Sequence, residues 1–293
     1  MKTGSGVSSD TGSDAAVRTD AGTDGFAIVR QALSAEALAV ALQESVDICR
    51  GIRGQVKGLP DDRCELDDDE LLGRCLAIHF PHKISSFYHQ LLFNPAIIEA
   101  LNGVIGPDVK CMQSMLFVKS AGKPGQAWHQ DEHFIPTRDR SLWGAWVALD
   151  EATIDNGCLW VLPGSHRSGV IWPTKPHGTD DFDGGEEAYG FPDDVRTALP
   201  IELQPGDAVI FHGYLLHRSL PNRRTSGFRR AIVNHYMSAQ SLLPWDWDGR
   251  LTLKNDVRDI VMISGQDPYG YRGTESLTYP YVRFETGLEA PSD

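Results

Sequence analysis

Short apolar runs separated by Gly, Pro and Asn make up most of the chain after Cys111. Runs of this length between turn-forming residues are typical of β-strands. Their close spacing favours an antiparallel sandwich or barrel over alternating βαβ units. We predict strands within 111–119, 127–134, 143–149, 158–162, 200–203, 207–212 and 230–237.

The chain before Cys111 has a helical pattern instead. Ser34 is a typical N-cap residue, and the apolar residues behind it recur at helical spacing, which predicts a helix with one apolar face. A short strand-like run, 25–29, precedes this helix, and a pair of helices is expected within 84–105. The predicted apolar face consists of Leu38, Leu42, Val46 and Cys49.

Other segments lack a regular pattern. Residues 1–24 carry almost no large apolar side chains, so we expect a disordered tail followed by one domain over 25–293. The acidic run within 61–70 is expected to be a solvated loop or helix start rather than a metal-binding cluster. The segment 163–200, dense in Gly, Pro and Asp, is interpreted as a lid loop or as a simple insertion. Residues 238–293 either pack over the barrel or join a dimer contact.

Composition is ordinary for a globular protein, with 41% hydrophobic and 23% charged residues. A formal net charge of -13 without a basic patch argues against a nucleic-acid partner. No apolar run reaches the ~18 residues of a membrane span. No basic segment followed by an apolar one suggests a signal peptide. The five cysteines have no paired CxxC spacing, which favours reduced thiols in a cytoplasmic protein.

Candidate chemistry is concentrated between Trp128 and Phe134. His129 and Asp131 are two residues apart, so in an extended segment both side chains project to the same side. An imidazole and a carboxylate placed together match two of the three protein ligands of a non-haem iron(II) oxygenase site. The third ligand would be a histidine from elsewhere in the chain.

Three histidines could complete this site. His133 shares the face of the first pair if the strand continues, but a ligand from a separate strand clamps a metal more readily. That consideration favours the segment 206–217, a turn into a buried strand that carries His212 and His217. The pattern alone does not choose between these two.

Five stretches together form a specific combination of motifs: 115–119, 128–131, 145–149, 156–166 and 206–231. In this combination the chain resembles the phytanoyl-CoA dioxygenase family of iron(II)/2-oxoglutarate oxygenases over roughly residues 80–237. The resemblance implies a mainly β fold with flanking helices, namely a double-stranded β-helix (jelly roll, cupin-like) with helices packed on one sheet.

The resemblance also implies a set of site residues. The family's distal iron ligand opens a His-X-Ser-X-X-Asn pattern, which here begins at His217, so the implied ligands of iron(II) are His129, Asp131 and His217. The far carboxylate of 2-oxoglutarate would be held by Arg229, with Arg230 as the alternative, because strand alternation lets only one point inward. Further co-substrate contacts implied are Ser219, Gln130, Met115, Trp146 and Lys83.

The implied activity is oxidation of a small molecule, most simply hydroxylation, with Fe(II), 2-oxoglutarate and O2 as cofactor and co-substrates. Related halogenating enzymes have Ala or Gly at the position of Asp131, so this carboxylate argues against halogenation. An apolar substrate, as in natural-product tailoring, would suit the aromatic residues around the predicted lid; an acyl-CoA is the alternative and would need a cationic rim. The aromatic set is Trp143, Trp160, Trp172, Phe134, Tyr189 and Phe191, and the cationic set is Lys119, Lys123, Arg167 and Lys175.

Two other classes of function stay open. A cupin-like metal enzyme that does not use 2-oxoglutarate would not need Arg229. A non-catalytic scaffold would need none of the four residues His129, Asp131, His217 and Arg229, and their joint presence counts against it.

Overall fold

The structure, a computed structural model, describes residues 20–242 and 258–283. Most of the expected N-terminal tail, residues 1–19, lies outside these ranges, as do 243–257 and 284–293. A helical turn already begins at Ala21, a few residues before the predicted start of order. Within the described ranges no helix has the length and apolar character needed to cross a membrane.

Helices are concentrated before Val109. Ser34 caps the long second helix by accepting a hydrogen bond from the Ala37 amide, as its sequence position predicts. The acidic run forms a capped helix start, in which Asp67 and Glu70 make a reciprocal capping box. The helices are α1 (Ala21–Asp24), α2 (Ala35–Cys49), α3 (Asp68–Gly73), α4 (Ser86–Leu91), α5 (Pro95–Val104) and α6 (Asp131–Phe134).

Fifteen strands are found in the described residues, and all seven predicted runs contribute to one. The strands are β1 (Phe26–Val29), β2 (Ala77–His79), β3 (Val109–Ser120), β4 (Gly125–His129), β5 (Trp143–Ala148), β6 (Leu159–Val161), β7 (Thr174–Pro176), β8 (Phe182–Asp183), β9 (Glu186–Ala188), β10 (Leu199–Ile201), β11 (Ala208–His212), β12 (His217–Ser219), β13 (Phe228–Ser238), β14 (Val261–Ser264) and β15 (Tyr281–Arg283).

Two sheets face each other across the molecule. The major sheet has the order β1-β11-β5-β13-β3-β2-β15, with β14 also paired to β3. The minor sheet has the order β10-β6-β12-β4-β8. Apart from the parallel pair β4–β8, the strand pairs within both sheets are antiparallel. The predicted jelly-roll architecture is therefore confirmed.

Helices cover the outer face of the major sheet. Ile48 of α2, Ile97 of α5 and Leu101 of α5 lie in one buried cluster with sheet residues such as Val147 and Ile232. A second cluster, which includes Trp146 and Phe211, lies between the two sheets. Successive side chains along each strand of the major sheet point to opposite faces. One set packs against the helices, and the other set faces the minor sheet, where the site lies.

The segment 163–200 is more structured than a lid loop. β7 and β9 form a two-stranded ribbon, and β8 extends the edge of the minor sheet beside β4. Three of the aromatic residues expected over a substrate, Trp160, Trp172 and Phe191, instead pack with Trp128 in a cluster away from the cavity described below. Trp143 belongs to the helix-side core.

The chain turns at Asn156-Gly157, and the need for a glycine at the second position of this turn can be tested. Its φ is +81°, and a Cβ atom there would lie 2.1 Å from the Leu220 carbonyl oxygen. Gly227 has a similar φ of +85° but nothing within 4 Å of a Cβ. We expect Gly227→Ala to lower the free energy of unfolding by about 1–2 kcal/mol from backbone strain alone. Gly157→Ala should lose about 1–3 kcal/mol more from the steric clash. Urea denaturation measures both, and equal losses would contradict this account.

Candidate active site

Two histidines face each other across a strand pair of the minor sheet. β12 pairs antiparallel with β4, and in this register His217 lies opposite His129. Their rings are 4.0 Å apart between centroids, and both side chains are buried. A Cβ at Gly125 would lie 1.9 Å from the Ser219 carbonyl oxygen, so a glycine allows the two strands to approach this closely.

Asp131 lies directly beside this pair. It begins α6 immediately after the strand end, and its Oδ1 is 3.7 Å from Nε2 of His129 and 3.5 Å from Nε2 of His217. The three potential ligand atoms all lie within 4.8 Å of one another, and no other such group occurs in the described part of the chain. The structure therefore brings together the three residues that the sequence placed at the metal.

Both histidines present the correct nitrogen to a metal. Nδ1 of His129 is 2.8 Å from the Ala127 carbonyl, and Nδ1 of His217 is 2.9 Å from the Leu215 carbonyl. A carbonyl only accepts, so each Nδ1 carries the proton and each Nε2 lone pair is free for a metal.

The electrostatics of the site also favour a cation. Burial lowers the pKa of His129 to about 3, so this ring is neutral at physiological pH. Burial alone would raise the pKa of Asp131, but His217 and His235 hold that pKa below its usual range, so the carboxylate is ionised. Two imidazoles and one carboxylate form the donor set typical of non-haem iron(II) sites with open positions.

The competing histidines lie elsewhere. His133 is exposed, and its ring contacts Phe134. His212 is half-buried and accepts a hydrogen bond from the Tyr214 amide through Nδ1, while its ring packs edge-on against Trp143. Neither lines the cavity at the metal site.

A cavity of about 270 Å³ opens between the two sheets at these ligands. Arg229 of β13 points into it, has no partner for its Nε, and lies over the Trp146 ring at 5.3 Å. Arg230 points the opposite way and forms two hydrogen bonds with Asp150. The choice of Arg229 over Arg230 as the inward residue agrees with this arrangement, and no carboxylate among the described residues pairs with Arg229.

Lys119 adds a second basic side chain beside Arg229. It lies opposite Arg229 in the β3–β13 register, and its Nζ donates to Ser219 Oγ at 3.0 Å and to the Leu220 carbonyl at 2.8 Å. Burial and then the neighbouring Arg229 lower its pKa. The guanidinium, the amine and the hydroxyl together form a receptor for a carboxylate, whose negative charge would favour the protonated amine. From the sequence, Lys119 was expected only as part of a cationic rim.

Two of the expected co-substrate contacts, Gln130 and Lys83, do not line this cavity. The Gln130 side chain donates to the Val170 and Tyr214 carbonyls and so braces a loop behind the site. Lys83 forms an ion pair with Asp259, with N–O distances of 2.6 and 2.8 Å. Met115, Trp146 and Ser219, in contrast, line the cavity.

Several polar residues of the cavity were not found from the sequence. His235 of β13 is hydrogen-bonded to Asp131. His79 and Gln113 form a buried pair on neighbouring strands, with a weak contact of 3.4 Å between Gln113 Nε2 and His79 Nδ1. An ion pair between Asp183 of β8 and Arg283 of β15 joins the edges of the two sheets beside the cavity. Asp183 is the residue of the segment 163–200 that lines the cavity.

The buried histidines predict acid sensitivity of folding. Burial lowers the pKa of His79 to about 3 and the pKa values of His82 and His212 to about 4. In the window from about pH 6.5 down to 4 the unfolded chain therefore binds protons that the folded chain does not, and the stability falls as the pH falls. Burial raises the pKa of Glu132 to about 7, which acts in the opposite direction, but three histidines outweigh one carboxyl.

We expect the free energy of unfolding, measured with urea between pH 7.5 and 4.5 on metal-free protein, to decrease by up to about 1.4 kcal/mol per pH unit for each histidine. His82→Gln should make this pH dependence shallower. A stability that stays constant or rises between pH 6.5 and 4.5 would be incompatible with these burial effects.

A family model described as phytanoyl-CoA dioxygenase matches residues 22–231 of the chain. Curated relatives include "Phytanoyl-CoA dioxygenase, peroxisomal" of Rattus norvegicus, 39% identical over 156 residues, or 50% of this chain and 44% of that protein. "Phytanoyl-CoA dioxygenase domain-containing protein 1" of Danio rerio is 31% identical over 206 residues, or 65% of this chain and 67% of that protein. The chain thus spans less than half of the rat protein and two thirds of the fish protein.

Solved structures share the fold. The epimerase SnoN from nogalamycin biosynthesis aligns with a TM-score of 0.63 at 18% identity, covering 85% of this chain and 95% of SnoN. EvdO2 from Micromonospora carbonacea var. aurantiaca, crystallised with 2-oxoglutarate, aligns with a TM-score of 0.55 at 25% identity, covering 78% of this chain and 92% of EvdO2. The family and fold expected from the sequence motifs are thus confirmed.

Proposed function

Because the chain belongs to the phytanoyl-CoA dioxygenase family, we propose that it is an iron(II)/2-oxoglutarate-dependent dioxygenase that oxidises a small molecule. The observation that carries this proposal is the shared cavity, which is lined both by three convergent ligand atoms and by the buried Arg229, a cation without a carboxylate partner among the described residues. A non-catalytic scaffold would have no use for this combination, because an uncompensated buried cation is costly.

We assign the metal to His129, Asp131 and His217. Bound iron(II) and 2-oxoglutarate would supply the oxidising power from O2, with release of succinate and carbon dioxide. The chain's own residues hold and orient these groups. The Nε2 lone pairs of the two histidines and the ionised carboxylate of Asp131 would bind the cation.

We assign the far carboxylate of 2-oxoglutarate to Arg229, assisted by Ser219 and Lys119. A guanidinium fixes a carboxylate by two parallel hydrogen bonds, and the low-dielectric cavity strengthens the attraction. The Lys119 ammonium already binds the Ser219 hydroxyl, so it positions that hydroxyl as well as adding charge. Trp146 under the guanidinium and Met115 on the neighbouring strand would pack against the carbon chain of the co-substrate.

The substrate is proposed to be an apolar small molecule that becomes hydroxylated. Apolar side chains in the cavity lining include Phe134, Ile135 and Val233, and Phe134 is 54% exposed at its mouth. SnoN is named an epimerase from nogalamycin biosynthesis, and SnoK, a further solved structure with this fold, is named a carbocyclase from the same biosynthesis. Natural-product tailoring, with outcomes other than hydroxylation, is therefore compatible with this fold.

Hydroxylation of an acyl-CoA is the second candidate, and the names of the curated relatives favour it. Two of the four cations expected to form a rim for the CoA phosphates are placed otherwise in the described part of the chain, however. Lys119 is buried inside the cavity, and Lys175 lies over the exposed ring of Tyr189. An apolar substrate without CoA is therefore our first choice.

The cellular compartment and the domain organisation are also part of the proposal. Five free cysteines, four of them buried, are compatible with a reducing compartment such as the cytoplasm, although the rat relative is named peroxisomal. We further propose that residues 25–293 form one oxygenase domain.

Succinate formation tests the proposal without knowledge of the substrate. Protein reconstituted with iron(II) should convert 2-oxoglutarate to succinate slowly in air, and removal of either iron or oxygen should stop the conversion. Candidate substrates, apolar compounds and acyl-CoAs, are then ranked by how far they accelerate it. Iron binding without any succinate would favour a metal enzyme of another kind.

A further inference from the structure

His235 makes a contact that the assignment of metal ligands does not use. It lies in the central part of β13, flanked by β3 and β5, and its side chain is buried. Its Nε2 is 3.0 Å from Oδ2 of Asp131. The contact therefore connects the middle of the major sheet to the first residue of α6, which follows the ligand strand of the minor sheet.

The two oxygens of Asp131 face different partners. Oδ1 is the atom near His129 and His217, at 3.7 and 3.5 Å from their Nε2 atoms. Oδ2 is the atom bound to His235. An ionised carboxylate only accepts hydrogen bonds, so Nε2 of His235 carries the proton and donates it into this bond.

His235 is not itself part of the ligand set. The group of ligand atoms within 4.8 Å of one another contains His129, Asp131 and His217 but excludes His235. Because its Nε2 is already engaged with Oδ2, its free nitrogen is Nδ1, which has no hydrogen-bond partner. The side chain thus acts on the metal site only through the carboxylate.

We propose that His235 is a positioning residue that fixes Asp131 as a monodentate ligand through Oδ1. This inference rests on the proposed function, since it requires a metal at the three ligands. A carboxylate free to rotate could bind the metal through both oxygens and occupy a position that 2-oxoglutarate or oxygen needs. The hydrogen bond to Oδ2 prevents that rotation, and a central strand is a rigid support for it.

The test compares variants that remove or retain the N–H donor. His235→Phe keeps a ring of similar size without a donor, and His235→Ala removes the donor without any risk of overpacking. His235→Gln places an amide N–H near the position of Nε2. His82→Gln is the matched control, because His82 is equally buried but binds Ser114 rather than a metal ligand.

The main readout is the Kd for Mn(II), measured by the EPR signal of free Mn(II), with far-UV circular dichroism as the check of folding. We expect His235→Phe and His235→Ala to raise the Kd about 10- to 100-fold, the usual effect of losing a partner of a metal ligand. His235→Gln should restore most of the affinity, and His82→Gln should leave it unchanged. The visible charge-transfer band of the anaerobic iron(II)–2-oxoglutarate complex should shift in the two donor-free variants and return in His235→Gln.

Three outcomes would overturn the inference while the proposed function stands: wild-type affinity in both donor-free variants, an equal loss in His235→Gln, or an equal loss in His82→Gln. Failure of the wild-type protein to bind Mn(II) at all would instead overturn the proposed function, and the positioning role with it.

Discussion

Asp131→Ala is expected to abolish 2-oxoglutarate-dependent succinate formation. Asp131 is the only anionic member of the ligand group, and its carboxylate lies between the two histidines. Its loss leaves two neutral imidazoles to hold a divalent cation in a buried site. Since losing a partner of a ligand already costs about 10- to 100-fold in metal affinity, loss of the ligand itself should cost more than roughly 100-fold.

Metal affinity and succinate release under iron(II) measure this effect. His133→Ala is the matched control, because His133 is two residues away but exposed and outside the cavity. The control should behave like the wild type. Near-normal succinate formation in Asp131→Ala would remove Asp131 from the assigned ligands.

Arg229→Met is expected to have the second large effect, which is weaker binding of 2-oxoglutarate. The guanidinium is buried in the cavity, and burial lowers its pKa only to about 10, so it stays charged at neutral pH. Its removal would leave one carboxylate of 2-oxoglutarate with only Lys119 and Ser219. We expect the Kd for 2-oxoglutarate to rise roughly 100-fold, or by about 3 kcal/mol, while metal affinity is retained.

Arg230→Met is the control for Arg229→Met. Arg230 is adjacent in sequence but forms its hydrogen bonds with Asp150 on the other face of the strand. Its replacement should affect stability and leave the Kd for 2-oxoglutarate unchanged. Equal effects of the two substitutions would contradict the assignment of the carboxylate site, and full activity of Arg229→Met would favour a metal enzyme that does not use 2-oxoglutarate.

The alternation of side chains along a strand predicted which of two neighbouring residues on the same strand faces the cavity. Alternation along β13 separates Arg229 from Arg230, and the structure places them on opposite faces as expected. The same rule would have found His235, which has the same parity as Arg229, and Lys119, which has the same parity as Met115. His235 was missed, and Lys119 was assigned only to a cationic rim, because both lie in runs whose pattern is that of apolar core strands.

Alternation also explains why Gln130 lies outside the cavity. It stands between His129 and Asp131, so an extended backbone turns its side chain to the other face, where it binds the Val170 and Tyr214 carbonyls. The family resemblance implied a co-substrate contact for Gln130, whereas the structure places its side chain against these two carbonyls.

Contacts between distant segments could not be predicted from the pattern. The selection of His217 over His133 and His212 depends on the register of β12 against β4, which brings residues 88 positions apart face to face. Only the family motif identified it. Lys83 pairs with Asp259, 176 positions away, and no local signal predicts such a partner.

Anaerobic addition of iron(II) and then 2-oxoglutarate to the metal-free protein tests the central claim most directly. The account predicts a weak visible charge-transfer band that requires both additions. This band should persist in His133→Ala and His212→Ala and disappear in His217→Ala. A band that survives in His217→Ala, or wild-type protein that binds iron but develops no band with 2-oxoglutarate, would contradict the account.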